Sequence, residues 1–176
     1  MAGSKQLFVL RHAKSSWDDP GLEDYERPLA PRGRRAVKVL AEHFRAEGIE
    51  PELILCSSAR RTRETLEGTG LGGEALIEHE LYSASPGQVL ERLQRVPDEV
   101  GSVMVVGHNP TMQVLVLRLA ASGAASELDG SGFRDIQRKF PTGAVATLAF
   151  EGGWSELGPG RARLTRYIRP KQLAAQ

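Results

Sequence analysis

Short apolar runs alternate with segments of helical period along most of the chain. Leu7–Leu10 is an apolar run of strand length that stops abruptly at Arg11-His12. From Pro31 to about Gly48 the apolar positions Ala36, Val37, Leu40, Ala41 and Phe44 fall on one helical stripe. A proline near the start and a glycine at the end predict the limits of that helix. Leu53–Cys56 predicts a second buried strand, followed by a polar, arginine-rich helix start from Ser57. Ala75–Ile77 predicts a third, short strand, and Pro86–Val96 a helix carrying Val89, Leu90 and Leu93. Ser102–Val106 is apolar after its serine and predicts a strand buried on both faces. It runs into Gly107-His108-Asn109-Pro110 and an apolar helix reaching about Ala121, with Asn109 as N-cap and Pro110 at the first helical position. Ser122–Lys139 is small, polar and glycine-containing, and reads as a long surface connection. Gly143–Phe150 and Arg163–Ile168 predict closing strands, joined by the turn-rich stretch from Glu151 to Gly160.

This alternation predicts an α/β fold: three layers, α/β/α, around a mostly parallel central sheet. No repeat, heptad run or dividing linker interrupts it, so residues 1–176 read as one domain. At 176 residues the chain suffices for one substantial core.

Composition narrows the function classes. The formal net charge of +1 gives no bulk electrostatic case for nucleic acid or an anionic membrane surface. No apolar run approaches bilayer length, and Met1 to Lys5 leaves no room for a signal peptide before the first strand, so the expected compartment is the cytoplasm. A single cysteine, Cys56, excludes a disulfide framework and any multi-cysteine metal site. It ends an apolar run, and position 62 is threonine where a cysteine phosphatase would place arginine. Gly68-Thr69-Gly70-Leu71-Gly72-Gly73 has dinucleotide-fingerprint spacing but follows a helical stretch rather than a strand, and reads as a helix stop and loop.

The chemistry gathers at three strand ends, where open α/β sheets bind ligands. They carry Arg11-His12, the serine and arginine run from Ser57 to Arg61, and Gly107-His108. Parallel neighbours sharing one edge would bring two histidines and two arginines together, with neither carboxylates nor further cysteines among them. That set suits a dianionic, oxygen-rich group such as phosphate, which guanidinium groups pair bidentately. An imidazole beside fixed arginine charges is held neutral, with a ring lone pair free to attack phosphorus. Arg27 either anchors the loop after the first motif or adds positive potential at the pocket mouth. Arg60 and Arg63 read as solvated helix face, His43 and His79 as surface or packing residues, and Trp17 and Trp154 as packing aromatics in preference to the lining of a docking surface.

The strings themselves carry a resemblance. Leu7-Phe8-Val9-Leu10-Arg11-His12-Ala13-Lys14-Ser15 resembles the strand-plus-Arg-His signature of the histidine phosphatase superfamily, the phosphoglycerate mutase-like group, with Ala13 where more familiar members have glycine. Ser57 to Thr65 is similar to its second-arginine motif: a serine, an arginine four residues on, a threonine four beyond. That spacing selects Arg61 rather than Arg60. Val105-Val106-Gly107-His108-Asn109-Pro110 resembles the second-histidine motif. The short length, Lys14-Ser15-Ser16-Trp17, Arg27-Pro28-Leu29 and Pro141-Thr142-Gly143-Ala144 are similar to SixA-type phosphohistidine phosphatases.

The resemblance implies a phosphohistidine intermediate on His12, oxygen contacts from Arg11 and Arg61, a supporting His108, no cofactor and no metal. Many members also carry an acid that protonates the leaving oxygen; Glu80, just before Leu81-Tyr82, lies in that region, and Asp18 and Asp19 are other carboxylates near the first motif. A phosphoramidate needs such a group less, because a protonated imidazole already leaves readily. The expected partner is therefore a phosphorylated protein bearing phosphohistidine, since little sequence remains to build a lid. The alternatives are a small phosphate ester as substrate, or a non-catalytic phosphate-binding docking module.

Overall fold

The structure, a computed structural model, describes residues 3–120 and 131–174. Its strands are β1 (Ser4–Arg11), β2 (Leu53–Ser57), β3 (Glu74–Glu78), β4 (Ser102–Gly107), β5 (Val145–Glu151) and β6 (Arg163–Ile168). They form one sheet in the order β3-β2-β4-β1-β5-β6. The β3-β2, β2-β4 and β4-β1 pairings are parallel, while β5 runs antiparallel to both β1 and β6. The expected three-layer, mostly parallel α/β fold is what the chain adopts, with every expected strand present and β1 starting three residues before Leu7.

The helices are α1 (Pro31–Ala46), α2 (Arg60–Thr69), α3 (Pro86–Gln94), α4 (Thr111–Leu119), α5 (Ser131–Arg138) and the short α6 (Pro170–Ala174). Strand alternation divides the core. Phe8, Leu10, Ile54, Cys56, Met104 and Val106 face Leu40 and Phe44 of α1 and Leu66 of α2. Leu7, Val9, Leu53, Leu55, Val103 and Val105 face the other way, onto Val89 and Leu93 of α3 and Met112, Leu115 and Leu119 of α4. Burying each such side chain contributes about 1.5–3 kcal/mol. Trp154 is fully buried, as its packing role requires.

Two details differ from expectation. Part of the supposed connection Ser122–Lys139 is helical: α5 buries Ile136, and Phe133 and Phe140, three residues before it and four after, lie on the same side against the core. The earlier part of that stretch, residues 122–130, and the expected helix end at Ala121 lie outside the described residues. The fourth helix begins at Thr111, so Pro110 is its cap residue, while the Asn109 side chain still accepts a hydrogen bond from Gln113 N–H at 3.3 Å. The glycine-rich run after α2 is a helix stop, with Gly70 in the left-handed conformation.

Candidate active site

Register places the two histidines. Arg11 of β1 lies opposite Gly107 of β4, so the next residue of each chain leaves the sheet beside the other. His12 N–H donates to Gly107 C=O at 3.1 Å, and the rings of His12 and His108 sit 5.4 Å apart between centroids, tilted by 54°. The end of β1 is pinned by Gly143, whose N–H lies 3.0 Å from Arg11 C=O and 2.9 Å from His12 C=O. This glycine has φ +78°, and a Cβ there would meet Pro170 Cγ at 2.7 Å. The Pro141-Thr142-Gly143-Ala144 string is thus a clamp on the first strand end.

A second strut comes from α2. Thr65 Oγ1 donates to Arg61 C=O at 2.7 Å and accepts from Ala13 N–H at 3.0 Å. The four-residue step from Arg61 to Thr65 is one helical turn, which is why the motif needs that spacing. Ala13 C=O in turn lies 2.7 Å from His12 Nδ1. A carbonyl only accepts, so Nδ1 carries the ring proton and Nε2 keeps its lone pair. His12 is 6 % exposed. Burial above all pushes its pKa down to about 3, against the upward pull of Ala13 C=O, with smaller downward contributions from the charges of His108, Arg61 and Arg11. His12 is therefore a neutral, fixed imidazole at physiological pH.

His108 Nε2 shares a hydrogen bond with Ser57 Oγ at 2.8 Å. Its pKa is lowered to about 4 by burial and by Arg61 and Arg11, against the carboxylate of Asp24. Arg11 donates from Nη1 to Phe140 C=O at 3.1 Å, and burial together with Arg61 weakens its hold on its proton. Arg11 Nε and His108 Nδ1 are buried without hydrogen-bond partners among the described residues. The expected four residues do converge, and the mutual electrostatic influence of both arginines and both histidines marks how closely.

A carboxylate joins them, contrary to expectation. Asp24, on a single-turn 3-10 helix (Asp24–Glu26) in the loop after β1, accepts from Arg61 Nη2 at 3.0 Å and from Tyr82 hydroxyl at 2.6 Å through Oδ2. Its Oδ1 accepts from Arg27 Nη1 at 3.0 Å, and its backbone C=O accepts from Arg61 Nη1 at 2.7 Å. These donors lower the Asp24 pKa to about 2, the Tyr82 hydroxyl first, while burial acts the other way. Tyr82 sits edge-on to His108, with centroids 5.6 Å apart. Glu80 lies exposed on the next 3-10 turn (His79–Leu81), with no hydrogen bond or ion pair among the described residues.

The neighbouring residues resolve accordingly. Arg27 is buried and anchors the loop: Nε donates to Ser16 C=O at 3.0 Å, Nη2 reaches Ser15 Oγ, and the guanidinium covers the exposed ring of Trp17. Arg60 pairs with Glu64, whose other oxygen takes Leu29 N–H at 2.8 Å and ties the loop to α2. Arg63 is half-buried rather than fully solvated, because its Nε donates to Ser58 C=O at 2.9 Å. His79 is exposed and lies against the rings of Tyr25 and Tyr82, as a surface or packing residue does. Cys56 is fully buried and its thiol is pushed up to about 12, chiefly by desolvation, as befits a packing residue. Among the described residues no group of three or more His, Cys, Asp or Glu is arranged to hold a metal ion, and no helix is long and apolar enough to cross a membrane. A depression of about 360 Å³ at the opposite strand ends, lined by Gln6, Phe8, Ser102 and Thr147, has one arginine, Arg166, and that is paired with Glu47 at 3.2 Å.

A three-layer sandwich with two histidines and two arginines at adjoining strand ends defines the phosphoglycerate mutase-like class of α/β proteins. Comparison with known proteins agrees. Residues 7–88 match the model of the histidine phosphatase superfamily, branch 1. The uncharacterized protein Rv1276c of Mycobacterium tuberculosis is 40 % identical over 162 residues, covering 92 % of this chain and all of that one. The phosphohistidine phosphatase SixA of Escherichia coli is 32 % identical over 120 residues, 65 % of this chain and 73 % of its own. Among solved structures, a protein of Nakamurella multipartitia provisionally given the SixA name superposes with a TM-score of 0.83 at 29 % identity, covering 96 % of this chain and 98 % of that one. The protein histidine phosphatase SixA complexed with tungstate gives 0.75 at 26 % identity, covering 96 % and 99 %. The chain belongs to the histidine phosphatase superfamily.

Proposed function

We propose that this chain, residues 1–176 acting as one domain in the cytoplasm, is a phosphohistidine phosphatase that works through a covalent intermediate on His12. The observation that carries the reading is the His12 tautomer: Nδ1–H is committed to Ala13 C=O, leaving the Nε2 lone pair in a pocket flanked by Arg11 and Arg61. In the first half-reaction Nε2 attacks phosphorus and the bond to the substrate nitrogen breaks, its electron pair departing with that nitrogen. Arg11 and Arg61 neutralise the phosphoryl oxygens in the in-line transition state; an arginine in comparable phosphoryl transfer is worth about 10³–10⁵ in rate. In the second half, water attacks the phosphorus and His12 leaves as the neutral imidazole it began as.

Two further features support a phosphoryl ligand. Arg61 spends two of its five N–H groups on Asp24, which leaves three for phosphoryl oxygens. The guanidinium charges fill the part a metal plays elsewhere, so the reading requires none. Glu80 has no part in it, because a protonated imidazole leaves without a further acid. The half-exposed rim formed by Asp24 and Tyr82 leaves the mouth open to a side chain on another protein, which favours a protein substrate over a free ester.

Acid-quench trapping with a ³²P-phosphohistidine protein tests this. Label should pass to the intact enzyme as an acid-labile, alkali-stable adduct and be absent from His12→Ala. Full turnover by His12→Ala would overturn the mechanism. Turnover of soluble phosphate esters alone would move the substrate class to small molecules.

A further inference from the structure

From the seat of Asp24 between Arg61, Arg27 and Tyr82, we infer that its carboxylate is the specificity-determining group of the pocket: it receives a cationic leaving group, so that the site prefers P–N bonds to nitrogen bases over anionic phosphate esters. The inference rests on the phosphatase reading above and adds a residue and a selection rule to it.

His12 is 6 % exposed and lies at the floor, whereas the Asp24 side chain is 49 % exposed. In an in-line displacement the leaving group departs opposite the nucleophile, hence outward, past the mouth. Asp24 is held at that mouth by Arg61, whose backbone carbonyl is tied by Thr65 to the loop carrying His12. The carboxylate and the nucleophile are thus parts of one braced unit.

Hydrogen-bond capacity comes next. A guanidinium has five N–H groups, and Arg61 spends one from each Nη on Asp24, leaving three, including Nε–H, for a phosphoryl group. Arg61 can therefore hold a substrate without releasing Asp24. The carboxylate has about four acceptor positions. Arg27, Arg61 and Tyr82 occupy three, and one on Oδ1 remains on a half-exposed side chain.

Charge then decides the ligand. Three donors keep Asp24 ionised, so it serves as an acceptor rather than a proton donor. A phosphoimidazole protonated on its distal nitrogen has a positively charged ring and presents one N–H outward. Bound to Asp24, that N–H stays on the ring while the P–N bond breaks, and the bonding pair returns the ring to neutral imidazole. Without that proton the departing group would be an imidazolate, a far poorer leaving group. An ester whose alcohol carries carboxylates meets the ionised Asp24 carboxylate instead, and is repelled.

The test compares kcat/KM for N-phosphoimidazole and p-nitrophenyl phosphate in the intact enzyme, Asp24→Asn and Asp24→Glu. Asparagine keeps an oxygen for Arg61 but loses the charge, and the ratio of the two kcat/KM values should fall about 10- to 100-fold, the range for losing a charged hydrogen bond. Glutamate should recover part of it. Equal losses on both substrates would make Asp24 a brace for Arg61 only and overturn the inference. If the intact enzyme cleaves the ester but never the P–N bond, the phosphohistidine reading itself fails; if it cleaves the P–N bond and Asn leaves the ratio unchanged, only the role of Asp24 fails.

Discussion

Replacing Thr65 with valine probes the strut joining the second motif to the first. Thr65 is fully buried, and valine fills the same volume without the hydroxyl. Two hydrogen bonds go: the one into Arg61 C=O, and the one from Ala13 N–H. Arg61 C=O sits in a helix and loses little. Ala13 N–H is left in a dry site without its acceptor, which costs about 1–3 kcal/mol. For a chain of this length each kcal/mol lowers Tm by about 2–4 °C, so the expected drop is about 2–12 °C. Urea unfolding should show a lower midpoint with an unchanged m value, since the surface exposed on unfolding is the same. The catalytic effect should exceed the stability effect. Ala13 C=O is the group that fixes the His12 tautomer, and relaxation of that peptide frees Nδ1–H to seek other acceptors. Misplacing a reacting group by about 1 Å costs on the order of 100-fold in rate, so kcat should fall about 10- to 100-fold while KM moves little. Nitrogen-15 NMR of the histidines should show a mixture of tautomers at His12, and Thr65→Ser should restore both properties. A Thr65→Val protein with the intact unfolding midpoint and a single His12 tautomer would refute the reasoning.

The buried histidines make stability depend on pH. Both hold a proton more weakly when folded, about 3 for His12 and about 4 for His108 against an ordinary 6.5, so the unfolded chain takes up protons first as pH falls. Stability should therefore be flat above about pH 6.5 and decline below it, with a slope approaching about 1.4 kcal/mol per pH unit for each histidine. Denaturant titrations between pH 4.5 and 7.5 read this directly, and a midpoint that does not change across that range would contradict the burial argument. A third expectation concerns Gly33 at the start of α1, where a Cβ would come within 2.1 Å of Lys14 C=O, an atom that already accepts from Ala30 N–H. Gly33→Ala should cost about 1–3 kcal/mol by overpacking and loosen the loop after β1, measured as a lower Tm and faster proteolysis within residues 14–30.

The strand ends were legible because burial on both faces leaves a period-free apolar run whose polar terminus stands out, as in Leu7–Arg11 and Val103–His108. Arg61 is told from Arg60 by the motif spacing of the superfamily the chain resembles, and the structure gives that spacing a reason in the helical turn that links Arg61 C=O to Thr65. Asp24 could not be read that way. It lies twelve residues beyond His12 in a loop without periodicity, and its place depends on contacts distant in sequence, from Arg61, Tyr82 and the Glu64–Leu29 tie. Glu80 drew notice by its position before Leu81, yet the 3-10 turn presents Tyr82 to Asp24 instead. Helix α5 did carry a signal, the 3 and 4 spacing of Phe133, Ile136 and Phe140, overshadowed by the polar residues between them.

The pairing of Arg11 with Gly107 has an architectural consequence. Neighbouring strands in a sheet stand about 4.8 Å apart whatever their side chains, so the spacing of His12 and His108 is inherited from the backbone rather than from the loops around them. The histidine pair is a fixed chassis. The segment from Trp17 to Glu26, held by Arg27 and Glu64 at its far end, is a faceplate laid over that chassis, and because Asp24 within it grips Arg61, only the residues around Asp24 can be exchanged without disturbing the arginine.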